Sequence, residues 1–129
     1  MEIVLDPSKP IYQQIIDEIK RAIARGALKP GDKLPSHREM AQIAKVNPNT
    51  VQRAYRELEQ TNLVETLRGQ GTFVRDDPVL LGEVRKEMAQ AALEAFLLEM
   101  KALAFGQEEI VQLVAASFKW ETQKKGDLS

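Results

Sequence analysis

Three features of this 129-residue chain predict an α+β fold. Two short helices, each with its own capping signal, follow one another between Ser36 and Glu59 across a tight turn. Two short segments rich in β-branched residues come next, joined by a glycine-rich tip. A long alanine-rich helical pattern fills most of what remains. The first two features, in that order, are those of an N-terminal winged helix-turn-helix, and the third adds a two-helix C-terminal extension.

The composition sets outer limits. Hydrophobic residues make up 43% of the chain and charged residues 29%, the balance of a globular protein. There is no cysteine, which excludes disulfides and thiolate metal sites. The N-terminal run Met1-Glu2-Ile3-Val4-Leu5-Asp6-Pro7 lacks the basic and apolar regions of a signal peptide. No uninterrupted apolar stretch is long enough to span a bilayer, so a cytoplasmic protein is expected. The net charge of −1 hides a division. Residues 1–75 carry 12 basic and 9 acidic side chains, whereas residues 76–129 carry 6 and 10. The first part is therefore basic and compatible with a polyanionic partner, and the second is acidic.

The first helix is expected to begin at Pro10, because proline's missing N–H is not needed in the first turn. Ile11, Ile15, Ile19 and Ile23 recur every four residues, with Tyr12 and Ile16 beside them, and form one apolar face. Gly26 can close the helix in a left-handed conformation. Leu28 to Pro35 then reads as a turn-rich connector with room for a short edge strand. Ser36 and Glu39 have the spacing of a capping box, which starts a second helix running to about Ala44. Asn47 followed by Pro48 repeats the signal for a third helix. Val51, Ala54, Tyr55 and Leu58 share its apolar face, while Asn49, Thr50, Gln52, Arg53 and Arg56 lie off it. Leu63–Leu67 and Thr72–Val74 read as strands, with Arg68-Gly69-Gln70-Gly71 as the hairpin tip.

Asp76-Asp77-Pro78 interrupts regular structure and marks an expected boundary. Beyond it, Leu81, Val84, Met88, Ala91, Ala95, Leu98, Ala102 and Phe105 alternate steps of three and four along a long helix, which Gly106 is expected to stop. A second helix starts near Gln107, with Glu108 and Glu109 in its first turn, where carboxylates oppose the helix dipole favourably. It carries Ile110, Leu113, Val114 and Phe118, and Trp120 near its end reads as a packing residue. The expected organisation is a winged helix-turn-helix domain over 1–76, a helical extension over 77–122 and a flexible tail over 123–129. Broad apolar faces on two helices call for a partner, so the long stripe is expected to pair with a second copy in a bundle-like dimer. The alternative is that the helices fold back on their own winged domain.

The Pro30-Gly31-Asp32-Lys33-Leu34-Pro35-Ser36 segment, the Arg38-Glu39 pair, the capped third helix and the Arg68-Gly69-Gln70-Gly71-Thr72-Phe73-Val74 wing resemble the GntR family of bacterial transcription regulators. The resemblance covers residues 10–75. Pro10-Ile11-Tyr12-Gln13-Gln14-Ile15, Val46-Asn47-Pro48-Asn49-Thr50-Val51 and the short extension look like the YtrA subfamily. The resemblance implies DNA contacts from Arg38, from Asn47, Asn49, Thr50 and Gln52 on the third helix, and from Arg68 and Gly69 at the wing tip. It also implies a short extension that mainly dimerises, and repression of a nearby operon.

The residue chemistry suits that expectation. An α-helix fits the major groove, where the amides of Asn49 and Gln52 can pair with adenine N6 and N7. Arg53 and Arg56 can reach guanine or phosphate, and Thr50 a phosphate or a thymine methyl. Asn47 offers a helix N-terminus to a phosphate, Arg38 can clamp the backbone, and Arg68 can enter a minor groove. The expected function is a sequence-specific transcription regulator, a dimeric repressor on an inverted-repeat operator. The competing class is a winged-helix protein-interaction module without sequence-specific DNA binding. An enzyme is not expected, since no nucleophile–base pair, phosphate loop or cofactor motif is visible. His37 is the only histidine and lacks partners for a metal site, so no metal or cofactor is expected. No convergent polar group marks an effector pocket, and none is assigned.

Overall fold

A computed structural model describes residues 1–127. Its elements run α1 (Ile11–Ala24), α2 (His37–Ala44), α3 (Pro48–Gln60), β1 (Val64–Leu67), β2 (Gly71–Val74), α4 (Leu80–Ala102) and α5 (Gln107–Asp127). Two compact units result, one spanning Met1–Ala89 and the other beginning at Gln90.

The first unit is organised around α3, which packs against α1, α2 and β1. Ile15, Ile16, Ile19 and Ile23 of α1 meet Met40 and Ala41 of α2 and Val51, Ala54, Tyr55 and Leu58 of α3 in one buried cluster. Leu34, Val64 and Val74 close it from the side of the hairpin. The isoleucine periodicity of the sequence is thus the inner face of α1.

Each helix end has a local cause. Gly26 takes φ +78° after α1, and the Ala27 N–H donates to the Ala22 carbonyl at 2.8 Å while the Gly26 N–H donates to Ile23 at 3.1 Å. This is a Schellman closure. At α2 the expected capping box is present: the Glu39 N–H donates to Ser36 Oγ and the Ser36 N–H donates to Glu39 Oε1, both at 3.1 Å. Lys45 ends α2 in the left-handed region at φ 57°. Asn47 Oδ1 then accepts from the Asn49 N–H at 2.8 Å and Pro48 opens α3.

The strands pair antiparallel, Val64 opposite Val74 and Leu67 opposite Gly71. Gly71 therefore belongs to β2 rather than to the tip. The turn closes with the Gln70 N–H on the Leu67 carbonyl at 2.9 Å, and Gly69 supplies the positive φ of +79° that such a turn demands. The connector adds the expected edge: Lys33 bridges to Phe73, and the Leu34 N–H donates to the Thr72 carbonyl at 2.8 Å.

Three expectations about the C-terminal part are corrected. The first unit continues past residue 76, because Leu80 and Val84 at the start of α4 are buried in its core and Met88 packs against it. Val84 is thus buried by the chain's own first unit, and Met88 is half-buried against it. The long helix ends at Ala102, so Phe105 lies between helices rather than on the stripe. Ala104 takes φ 66°, and the Phe105 N–H donates to Met100 at 3.1 Å, a Schellman closure built without glycine. Gly106 instead precedes α5, its N–H donating to the Glu109 carboxylate at 3.2 Å. Finally, α5 runs to Asp127, so residues 123–127 of the expected tail are helical. Gln123 and Lys124 are good helix formers and no proline intervenes. Leu128 and Ser129 lie outside the described residues.

In the second unit, α4 and α5 make little packing contact with one another. Leu93, Phe96, Leu98, Val111, Leu113, Phe118 and Trp120 are all exposed, Leu98 at 73% and Phe118 at 65%.

The capping box yields the first test. Ser36→Ala should lower unfolding stability by about 1 kcal/mol in urea titrations at neutral pH. The bonds from Ser36 hold the Glu39 carboxyl below its ordinary value of 4.5. A carboxylate held below its unfolded value stabilises the fold above that pH and loses the contribution as pH falls. Glu39→Ala should therefore be less stable than the parent at neutral pH, with the gap narrowing as the carboxylate is protonated in acid; a gap that does not narrow on acidification contradicts this account.

Candidate nucleic-acid interface

The helical period of α3 divides its side chains cleanly. Val51, Ala54, Tyr55 and Leu58 are buried, while Asn49, Gln52, Arg53 and Arg56 are exposed and Thr50 is half-buried. The second set lies at offsets of three, four and seven, so one face of a helix with a capped N-terminus presents two amides and two guanidiniums.

That face is held in orientation by Tyr55. Its side chain is 3% exposed, and its hydroxyl donates to the Pro35 carbonyl at 2.7 Å. The bond ties the middle of α3 to the residue before the α2 capping box. Burial pushes the Tyr55 hydroxyl well above its ordinary value of 10, and the nearby Glu39 carboxylate adds to the shift. The phenol thus remains a proton donor throughout the physiological range. His37 sits edge-on to the same ring, 5.0 Å between centroids at 72°, and is exposed. Among the described residues no cluster of His, Cys, Asp or Glu is arranged to hold a metal ion.

The predicted contact residues fall in three places. Arg38 is exposed in the first turn of α2. Asn49, Thr50 and Arg53 come together on a groove with Pro10, Ile11 and Tyr12 from the start of α1. Asn47 is exposed, but its Oδ1 is committed to capping α3, leaving its amide nitrogen for other partners. Gln52 and Arg56 project from the remainder of the α3 face, and Arg68 and Gly69 occupy the exposed hairpin turn.

Two neighbours were not legible in the sequence. The Arg53 guanidinium carbon lies 3.8 Å from the centre of the Tyr12 ring, within the range of a cation–π contact. Tyr12 had read only as a companion of the isoleucine stripe, and nothing in the spacing joins two residues so far apart along the chain. Lys33 runs beside the wing, its Cε only 2.8 Å from where a Cβ on Gly71 would stand. Gly71 is favoured by its φ of +122°, and the Lys33 side chain would have to swing aside to admit a Cβ there. The bridge between Lys33 and Phe73 is the structural cause, and the connector's edge-strand pattern was its sequence trace.

A capped helix with an exposed amide and arginine face, a helix across a tight turn from it, and a hairpin with Arg68 at its turn define a winged helix-turn-helix DNA-binding protein. Comparison with known proteins agrees. The model of the gntR family of bacterial regulatory proteins matches residues 11–74. The uncharacterized HTH-type transcriptional regulator YhcF of Bacillus subtilis is 49% identical over 105 residues, spanning 81% of this chain and 87% of that protein. The HTH-type transcriptional repressor YtrA of the same organism is 45% identical over 100 residues, spanning 75% and 77%. Among solved structures, a GntR family transcriptional regulator from Listeria monocytogenes superposes with a TM-score of 0.82 at 40% identity, covering 87% of this chain and 98% of that one. The chain belongs to the GntR family and to its YtrA subfamily, and is a transcription regulator with a DNA-binding helix-turn-helix.

The Tyr55 tether carries its own test. Tyr55→Phe keeps the ring and leaves the half-buried Pro35 carbonyl without its donor. It should cost about 1 kcal/mol of unfolding stability, read by denaturant titration; an unchanged midpoint removes the tether from the account.

Proposed function

We propose that this regulator acts in the cytoplasm as a homodimeric repressor, with α3 of each copy in the major groove of an inverted-repeat operator. The observation that carries the reading is the two-sided character of α3. Its inner face is locked to α1 and α2, and its outer face carries Asn49, Gln52, Arg53 and Arg56, side chains suited to adenine, guanine and phosphate. Arg38 and Arg68 extend the same chemistry to the backbone and the minor groove. The relative YtrA of Bacillus subtilis is a transcriptional repressor, which supports the sign of regulation.

The dimer rests on a separate observation. Two long helices that pack little against each other leave Leu93, Phe96, Leu98, Val111, Phe118 and Trp120 in water. A soluble protein rarely leaves that much apolar surface uncovered. A second copy of the same helices supplies the cover, with Ala91, Ala95, Leu98 and Ala102 allowing close approach. Leu81, half-buried at the start of α4, is assigned to the dimer by the same helical stripe. Two DNA-reading units related by a twofold axis match half-sites about one helical turn, or ~34 Å, apart. No small-molecule effector is needed for this reading, and among the described residues no helix is long and apolar enough to cross a membrane.

Two measurements test the reading. Affinity for a duplex enriched from a random-sequence library should fall steeply with salt, and Arg68→Ala should weaken it by ~1–3 kcal/mol. A flat salt response contradicts phosphate contact, and an unchanged affinity removes Arg68 from the site. Second, truncation after Ala89 retains Leu80, Val84 and Met88 and should leave a folded monomer by sedimentation, with much reduced affinity for the enriched duplex. A truncated chain that still sediments as a dimer refutes the role assigned to α4 and α5.

A further inference from the structure

A groove of about 430 Å³ separates the start of α1 from the start of α3 and is lined by Pro10, Ile11, Tyr12, Asn49, Thr50 and Arg53. Its two walls differ in mobility. The Tyr12 ring is half-buried and packed against the core cluster, so its position is fixed by the fold. Arg53 is exposed and carries several rotatable bonds, yet its guanidinium carbon stands 3.8 Å from the centre of that ring. Among the described residues the Arg53 guanidinium makes no hydrogen bond and no ion pair, its one close partner being the Tyr12 ring. The ring therefore fixes the charge without consuming the N–H donors, because the attraction is to the face of the π system and not to an acceptor atom.

We propose that Tyr12 is a positioning residue for DNA binding, which holds the Arg53 guanidinium over the groove beside Asn49 and Thr50, where it meets a DNA phosphate. The inference rests on the reading that the outer face of α3 contacts DNA, and it deepens that reading by assigning a residue of α1 to the site. The physical gain is preorganisation. An arginine free in water loses rotamer freedom when it docks on a phosphate, and one already held over a ring loses less. Asn49, one helical turn before Arg53, faces the same groove, so a phosphate bound there lies next to an amide positioned for a base edge. A bland role is also open to the pair: Arg53 on Tyr12 can simply join α3 to α1 and add stability. The two roles differ in what happens when Arg53 is absent.

The test uses the full chain and a duplex enriched on it from a random-sequence library, with affinity measured across a salt series. Tyr12→Leu should weaken binding roughly five- to tenfold, and Tyr12→Phe, which keeps the ring face, should stay within about twofold of the parent. Arg53→Ala should weaken binding and reduce the slope of log affinity against log salt by about one, the loss of one phosphate contact. In the Arg53→Ala background, Tyr12→Leu should have no further effect. Should Tyr12→Leu lose its helical circular dichroism, Tyr12→Met takes its place, an unbranched chain that adapts to the gap without a π face. An equal loss from Tyr12→Leu with and without Arg53 overturns the proposal in favour of a structural role. So does a Tyr12→Phe variant as weak as Tyr12→Leu, which assigns the effect to the hydroxyl. Failure of the underlying reading looks different: Gln52→Ala and Asn49→Ala would then bind like the parent as well, whereas failure confined to Tyr12 leaves their losses in place.

Discussion

Burial of one face of α3 sets the geometry of the whole first unit. Val51, Ala54, Tyr55 and Leu58 are almost wholly removed from water against α1, α2 and β1. Each large side chain so buried contributes about 1.5–3 kcal/mol relative to exposure. Because a helix turns 3.6 residues at a time, fixing that face also fixes the outward direction of Asn49, Gln52, Arg53 and Arg56. The Tyr55–Pro35 bond adds a directional element that apolar packing lacks, since a hydrogen bond weakens steeply when misaligned. On the proposed reading, stability and DNA recognition are coupled through a single helix, and a cavity beneath α3 would disturb both.

The wing follows from the same frame by different chemistry. β1 continues from α3 almost directly, and β2 is bordered by the connector around Lys33 and Leu34. Leu34, Val64 and Val74 anchor the hairpin to the core, while the turn with Arg68 and Gly69 remains in water. A glycine at 71 serves this arrangement by adopting a conformation that other residues rarely take, with the Lys33 side chain lying alongside.

What could be read from the sequence was whatever has a local cause. Ser36 with Glu39, Asn47 with Pro48, and the isoleucines of α1 each signal structure within a turn or two of themselves, and each element formed where those signals place it. What could not be read depends on contacts distant in sequence or on a rule broken locally. Val84 belongs to the helical stripe by spacing, yet only the assembled core shows that its own chain buries it. Ala104 closes α4 in a conformation that pattern reading reserves for glycine, which moved the helix end from Gly106 to Ala102 and took Phe105 off the stripe. Of the candidate interface, the α3 face and the wing tip were legible. The pairing of Tyr12 with Arg53 was not, because it exists only once α1 packs on α3.

In the proposed complex, α3 of two copies enters successive major grooves of one duplex. Methylation protection at guanine N7, a major-groove atom, reads this on the enriched duplex bound by the full chain. Two protected patches are expected, related by an inverted repeat and about one helical turn apart. A single patch, or guanines that stay fully reactive at saturating protein on a G·C-containing site, would contradict this complex.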